Sequence, residues 1–149
     1  MRFTLLLAID QFESGQAAVD FTIGLAARSK SDVYVLHVRE VPASLGIAPL
    51  ESAAEAQQLV DEAVQRLQTA GIAAEGEARS EHVSWVAQLI VEEASKRQCS
   101  AIILGSLRLR GLHSAMGHRT RERVLKMSPL PVIVASPARC AKARNMANV

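Results

Sequence analysis

The sequence predicts an α/β fold, a five-stranded parallel sheet with helices on both faces. Three observations lead there. Strand-length apolar runs alternate with helix-length segments along the 149 residues. Apolar residues make up 49% of the chain and aromatic ones only 3%, so Val, Ile, Leu and Ala must fill the core, as in strands covered on both sides. Charge is also segregated. Residues 1–104 carry eight Lys/Arg against fourteen Asp/Glu, and residues 105–149 carry nine against one, so the net charge of +2 conceals an acidic body and a basic C-terminal third. Strand–helix alternation implies right-handed parallel crossovers. A basic strand-to-helix turn in such a sheet is a natural place for an anion.

Phe3–Ile9 is a continuous apolar run of strand length. It has a faint likeness to a signal peptide, but Asp10 cuts the run short and no small-residue cleavage site follows, so it is the first strand. From Ser14 to Arg28, Ala17, Phe21, Gly24 and Leu25 recur at helical spacing. Asp32–Val38 is a second buried strand, followed by a Pro/Gly-bearing connection from Pro42 to Pro49. The next helix runs through Ala56, Leu59, Val60, Ala63, Leu67 and Ala70 and is stopped by Gly71. Ile72–Arg79 alternates small or apolar residues with Glu75, Glu77 and Arg79, the pattern of a half-exposed edge strand. Val83, Val86, Ala87, Ile90 and Ala94 define a third helix, Ala101–Gly105 a fourth strand, Gly117–Met127 a fourth helix and Pro131–Ala135 a fifth strand. One domain thus spans residues 1–137, and residues 138–149 form a basic, frayed tail. If the first and fourth strands are neighbours, Asp10 and Gly105 end two adjacent strands and face one crevice.

No segment has the length to span a bilayer, and no membrane partner is expected. Cys99 and Cys140 have no Cys or His at metal-ligand spacing, which points to free thiols in a reducing cytoplasm, Cys99 at the start of a core strand. His37 lies in an apolar strand and reads as a satisfied core histidine; His113 and His118 read as solvated loop residues, and Trp85 as the cover of a helix–sheet contact. The chain lacks a Gly-x-Ser-x-Gly elbow, a Walker lysine and paired catalytic carboxylates, and Ser106 has no identifiable base. This argues for a non-enzymatic role. The absence of an RNA-binding aromatic motif or a helix-turn-helix pattern argues against specific nucleic-acid recognition. Asp10 has two readings of equal weight: a ligand contact, or an Asx turn or cap for the following helix.

Four stretches together resemble the universal stress protein family over nearly the whole chain. They are Leu6-Leu7-Ala8-Ile9-Asp10, Val35-Leu36-His37-Val38, Ile102-Ile103-Leu104-Gly105-Ser106, and Glu122-Arg123-Val124-Leu125 through Pro129-Leu130-Pro131-Val132-Ile133-Val134. The resemblance implies a Rossmann-like nucleotide-binding fold, with Asp10 at the adenine or ribose and Val38 near the base. Members that bind ATP carry Gly-x2-Gly-x9-Gly-Ser/Thr. Here Gly105 matches the first glycine, but Arg108 stands at the second, His118 at the third and Arg119 where Ser/Thr belongs. Gly117 lies one residue early, Thr120 two residues beyond the third glycine position, and Gly111 matches a glycine often seen inside the loop. An arginine in place of glycine blocks close backbone approach if that position needs a positive φ. Arg108, Arg110, Arg119 and Arg121 nonetheless offer charge-assisted phosphate contacts of their own.

The resemblance therefore implies a stress-response or signalling module holding ATP, with magnesium, or another phosphate ligand at Asp10, Val38, Gly105, Ser106, Arg108, Gly111, Gly117, His118, Arg119 and Thr120. A slow ATPase on the same fold and a ligand-free partner-binding protein stay open. The resemblance places Pro131–Ala135 at a sheet edge. An uncharged edge calls for a partner, so a homodimer through that strand is expected.

Overall fold

The computed structural model describes residues 2–11, 13–42, 46–105 and 112–135. In chain order it contains β1 (Thr4–Ile9), α1 (Glu13–Ser29), β2 (Asp32–Val41), α2 (Ala53–Thr69), β3 (Ala74–His82), a 3₁₀ turn (Val83–Trp85), α3 (Val86–Lys96), β4 (Ala101–Gly105), α4 (Leu112–Met127) and β5 (Val132–Ala135). The five strands form one sheet in the order β3-β2-β1-β4-β5, every neighbouring pair parallel.

The three central strands are apolar on both sides because both sides are covered. Leu5, Leu7 and Ile9 of β1 join Val33, Val35 and Ile103 in a layer with Ala18 of α1 and Val60 and Leu67 of α2. The alternate residues, Leu6, Ala8, Tyr34, Leu36, Ile102 and Leu104, form a second layer with Val86 and Ile90 of α3 and Val124 of α4. Aliphatic side chains of nearly uniform size suit such two-sided packing.

Local chemistry sets several boundaries. Ser52 caps α2 through a capping box, its Oγ accepting from the Glu55 N–H while the Glu55 carboxylate accepts from the Ser52 N–H. Past the other end of α2, Gly71 has φ +83°, a conformation that glycine adopts without strain.

Two features depart from the sequence reading, and a third adds to it. First, β3 continues to His82 and the 3₁₀ turn follows, so the third helix begins at Val86 rather than Val83. Trp85 closes that turn and is 55% exposed, so it does not cover a helix–sheet contact. Second, α4 begins at Leu112 and not at Gly117. Leu112, Met116, Thr120 and Val124 recur every fourth residue, and an interior glycine costs a helix only about 1 kcal/mol. Third, the charged row of edge strand β3 is tied down. Arg79 Nη1 donates to Glu93 Oε1 at 2.8 Å and Arg97 Nε to Glu93 Oε2 at 3.2 Å, which satisfies a carboxylate that is buried on α3. The Arg97 guanidinium also lies 3.4 Å from the centre of the Tyr34 ring.

Candidate functional site

The chain leaves β1 for β2 and β3 on one side, then returns to place β4 and β5 on the other. The order therefore reverses between β1 and β4. The helices that follow these two strands cover opposite faces of the sheet, which opens a crevice at the strands' carboxyl ends. Leu7 pairs with Ile103 and Ala8 with Leu104, so one further step brings Ile9 level with Gly105. On the other side Ile9 pairs with His37, and one further step brings Asp10 level with Val38. Parallel pairing thus gathers Asp10, Val38 and Gly105 at one end of the sheet. Asp10 and Gly105 are half-buried, and Val38 is buried in the layer beneath α3.

The next part of the chain decides what that crevice can hold. Ser106, Arg108 and Gly111 lie outside the described residues, as do Arg110, Cys140 and the tail 138–149. Gly117, His118, Arg119 and Thr120 lie within α4. Helix geometry leaves only the backbone N–H groups of the first turn outside the ladder, and among the described residues those belong to residues 112–114. The N–H groups of 117–120 are committed to the helical ladder, so any contribution from these four residues must come from side chains. Arg119 is exposed and Thr120 half-buried. Helical side chains lean toward the N-terminus, and Arg119 lies roughly 10 Å along the axis from Leu112, so a long guanidinium reaches back part of the way.

Some groups are ruled out as ionised nucleophiles. Burial, with a hydrogen bond to Glu77, pushes the Tyr34 phenol well above its ordinary range, and burial likewise raises the Cys99 thiol. Cys99 is a buried free thiol beside the core, as its position just before β4 predicted. His37 is satisfied: its Nδ1 lies 2.8 Å from the Ile9 carbonyl oxygen, and its Nε2 meets the Glu51 carboxylate. Nothing in the sequence singles out Glu51, because no residue of the Pro42–Pro49 connection signals that the chain folds back onto β2. Among the described residues no group of three or more His, Cys, Asp or Glu is placed to hold a metal ion, and no helix is long and apolar enough to cross a membrane.

The family model described as the universal stress protein family matches residues 1–136. Among solved structures, the chain is similar to the universal stress protein UspA from Lactobacillus plantarum at TM-score 0.71 and 21% identity, covering 91% of this chain and 99% of that one. It is similar to the universal stress protein from Archaeoglobus fulgidus in complex with dAMP at TM-score 0.66 and 20% identity, covering 89% and 97%. It is also similar to a universal stress protein family protein from Arabidopsis thaliana with AMP bound, at TM-score 0.63 and 17% identity, covering 90% and 91%. At these identities the likeness is one of fold. Among curated protein sequences, none matches the chain.

Proposed function

The chain belongs to the universal stress protein family, and from that membership we propose that it is a cytoplasmic stress-response or signalling module that binds an adenine nucleotide without turning it over. The observation that carries this reading is the reversal of strand order between β1 and β4, with Asp10 level with Val38 and one step beyond Gly105 at its open end. Solved relatives hold dAMP and AMP. Asp10 and Val38 take the nucleoside. Gly105, Ser106, Arg108 and Gly111 take the phosphates together with the free N–H groups at the start of α4. Arg119 adds charge from one face of that helix, beside Gly117, His118 and Thr120. ATP is the ligand that the partly retained glycine pattern favours. The described residues gather no carboxylate set for magnesium beyond Asp10, and no magnesium-dependent step is assigned to the site.

Denaturing the purified protein is expected to release an adenine nucleotide, identified by mass spectrometry. Calorimetric titration with ATP and AMP then tests the residues. Gly105→Val should weaken binding about tenfold or more, because little room is left for a side chain beside the phosphates, and Gly111→Ala should cost less. Arg108→Ala combined with Arg119→Ala should weaken ATP binding about tenfold and flatten its salt dependence. Unchanged affinities would remove these residues from the site. Absence of both released nucleotide and titratable binding would overturn the reading.

A homodimer through β5 belongs to the same proposal. This strand is the outermost on its side, Val134 is 37% exposed, and Leu125 and Met127 of α4 are 49% and 46% exposed. An apolar edge with unpaired backbone groups is covered when it pairs with its own copy about a two-fold axis. Ile133 packs into the layer beneath α1, so the informative substitution is Val134→Lys. Light scattering should report a dimer for the wild type at micromolar concentration and a folded monomer for the variant. A monomeric wild type would sink this part.

A further inference from the structure

His37 and Glu51 meet at the carboxyl end of the sheet, and their hydrogen bonds fix a proton count. The His37 side chain is 5% exposed and that of Glu51 11%. The Ile9 carbonyl oxygen, 2.8 Å from Nδ1, can only accept, so Nδ1 carries hydrogen. The Glu51 carboxylate at Nε2 can also only accept when ionised. A neutral ring would turn a lone pair toward it. The contact therefore needs one proton more than a neutral imidazole and an ionised carboxylate supply between them.

That contact also holds a segment of main chain. Arg39 Nε donates to the Glu51 carbonyl oxygen at 2.8 Å, and Glu51 immediately precedes Ser52, the N-cap of α2. Two side chains of β2 thus anchor, at one residue, the approach to a helix. Among the described residues the surroundings supply no ready substitute for the proton. On β2 the nearby charge is Arg39, which is committed to that carbonyl. At the start of α2 it is Glu55, whose carboxylate takes the Ser52 N–H. Asp10 follows Ile9 at the end of β1, and β3 places Ala78 opposite His37.

We propose that His37 and Glu51 form a single-proton clasp that fixes residues 46–52 and the start of α2 against the end of β1, and that the clasp opens as pH rises. Loss of the proton from Nε2 leaves two acceptors facing each other in a nearly dry site. Arg39 alone then holds the segment. The proposal is independent of which ligand fills the crevice.

The test is side-chain nitrogen NMR of His37 together with amide exchange at Glu51 and Ser52, followed from about pH 5 to about pH 8.5, the range in which histidine charge changes. Both ring nitrogens should carry hydrogen in the acid half. Loss of the Nε2 proton should bring about tenfold or greater loss of protection at Glu51 and Ser52 relative to the core amide of Leu7, after correction for intrinsic exchange. Glu51→Gln supplies an N–H that donates to a neutral Nε2, so its protection should persist across the range without the extra proton. Glu51→Ala, which keeps only the Arg39 contact to the main chain, should show the lower protection of the open clasp at every pH. An Nε2 without hydrogen in the acid half, or wild-type protection that does not change with pH, would overturn the clasp. So would a Glu51→Gln variant that follows the same pH dependence as the wild type.

Discussion

Gly76→Ala is expected to destabilise the fold by about 3 kcal/mol, at the upper end of what overpacking usually costs. Gly76 lies on β3 directly opposite Val35 of β2, beneath α2. A Cβ there would stand 2.4 Å from the Val35 carbonyl oxygen, 2.8 Å from Val35 Cβ and 3.0 Å from Val60 Cγ1. Two of these three neighbours cannot swing aside, since one is backbone and the other a Cβ, both in a central strand. Relief requires β3 to move outward, which stretches its ladder with β2 and loosens α2 from the sheet. Gly76→Val should be worse. The measurement is urea unfolding, with a lower midpoint and an unchanged slope. An alanine variant as stable as the wild type would show that the strands do not approach so closely.

Removing both arginines from Glu93 should have a comparable effect. In the Arg79→Ala, Arg97→Ala double variant, the buried carboxylate keeps, among the described cations, only Lys96, whose Nζ is 3.9 Å away on a side chain that is 76% exposed. Leaving a buried charge without its partners costs about 3–5 kcal/mol, and the stacking of Arg97 on Tyr34 goes as well. The variant's deficit should shrink as the medium is acidified. Stripped of its cations, the buried carboxyl favours its protonated form, so the native state then holds a proton that the unfolded chain has released. Stability of the variant therefore falls as pH rises through that range. Adding Glu93→Leu to the double variant should restore most of the loss, because the uncompensated charge is gone. A double variant matching the wild type across pH would mean that Glu93 is solvated and the ion pairs are dispensable.

Much of the site's frame is legible in the order and spacing of residues. Ala101–Gly105 reads as the fourth strand and is the fourth strand, and Gly71 ends its helix as a glycine past the last turn. Asp10 and Gly105 fall at strand carboxyl ends, and the crevice between them requires only that β1 and β4 pair, which they do. The start of α4 is harder to read because Gly117 looks like a boundary, whereas the four-residue spacing from Leu112 to Val124 outweighs one weak helix former. Trp85 misleads because its size suggests cover, and the 3₁₀ turn that ends β3 carries it outward.

By itself the sequence determined the alternation of elements, the two-sided burial of the central strands and the glycine stop of α2, since each rests on spacing or on contacts a few residues apart. Tertiary structure alone decided that Glu93 is buried among arginines, that Gly76 has no room for a side chain and that Glu51 closes on His37. Arg79 and Glu93 are fourteen residues apart, as are His37 and Glu51, and Ile9 and His37 are twenty-eight apart. Ile9 and His37 meet through the pairing of β1 with β2, and the other two pairs through the packing of α2 and α3 on opposite faces of one sheet. That packing depends on the summed volume of many aliphatic side chains, and no local pattern encodes it.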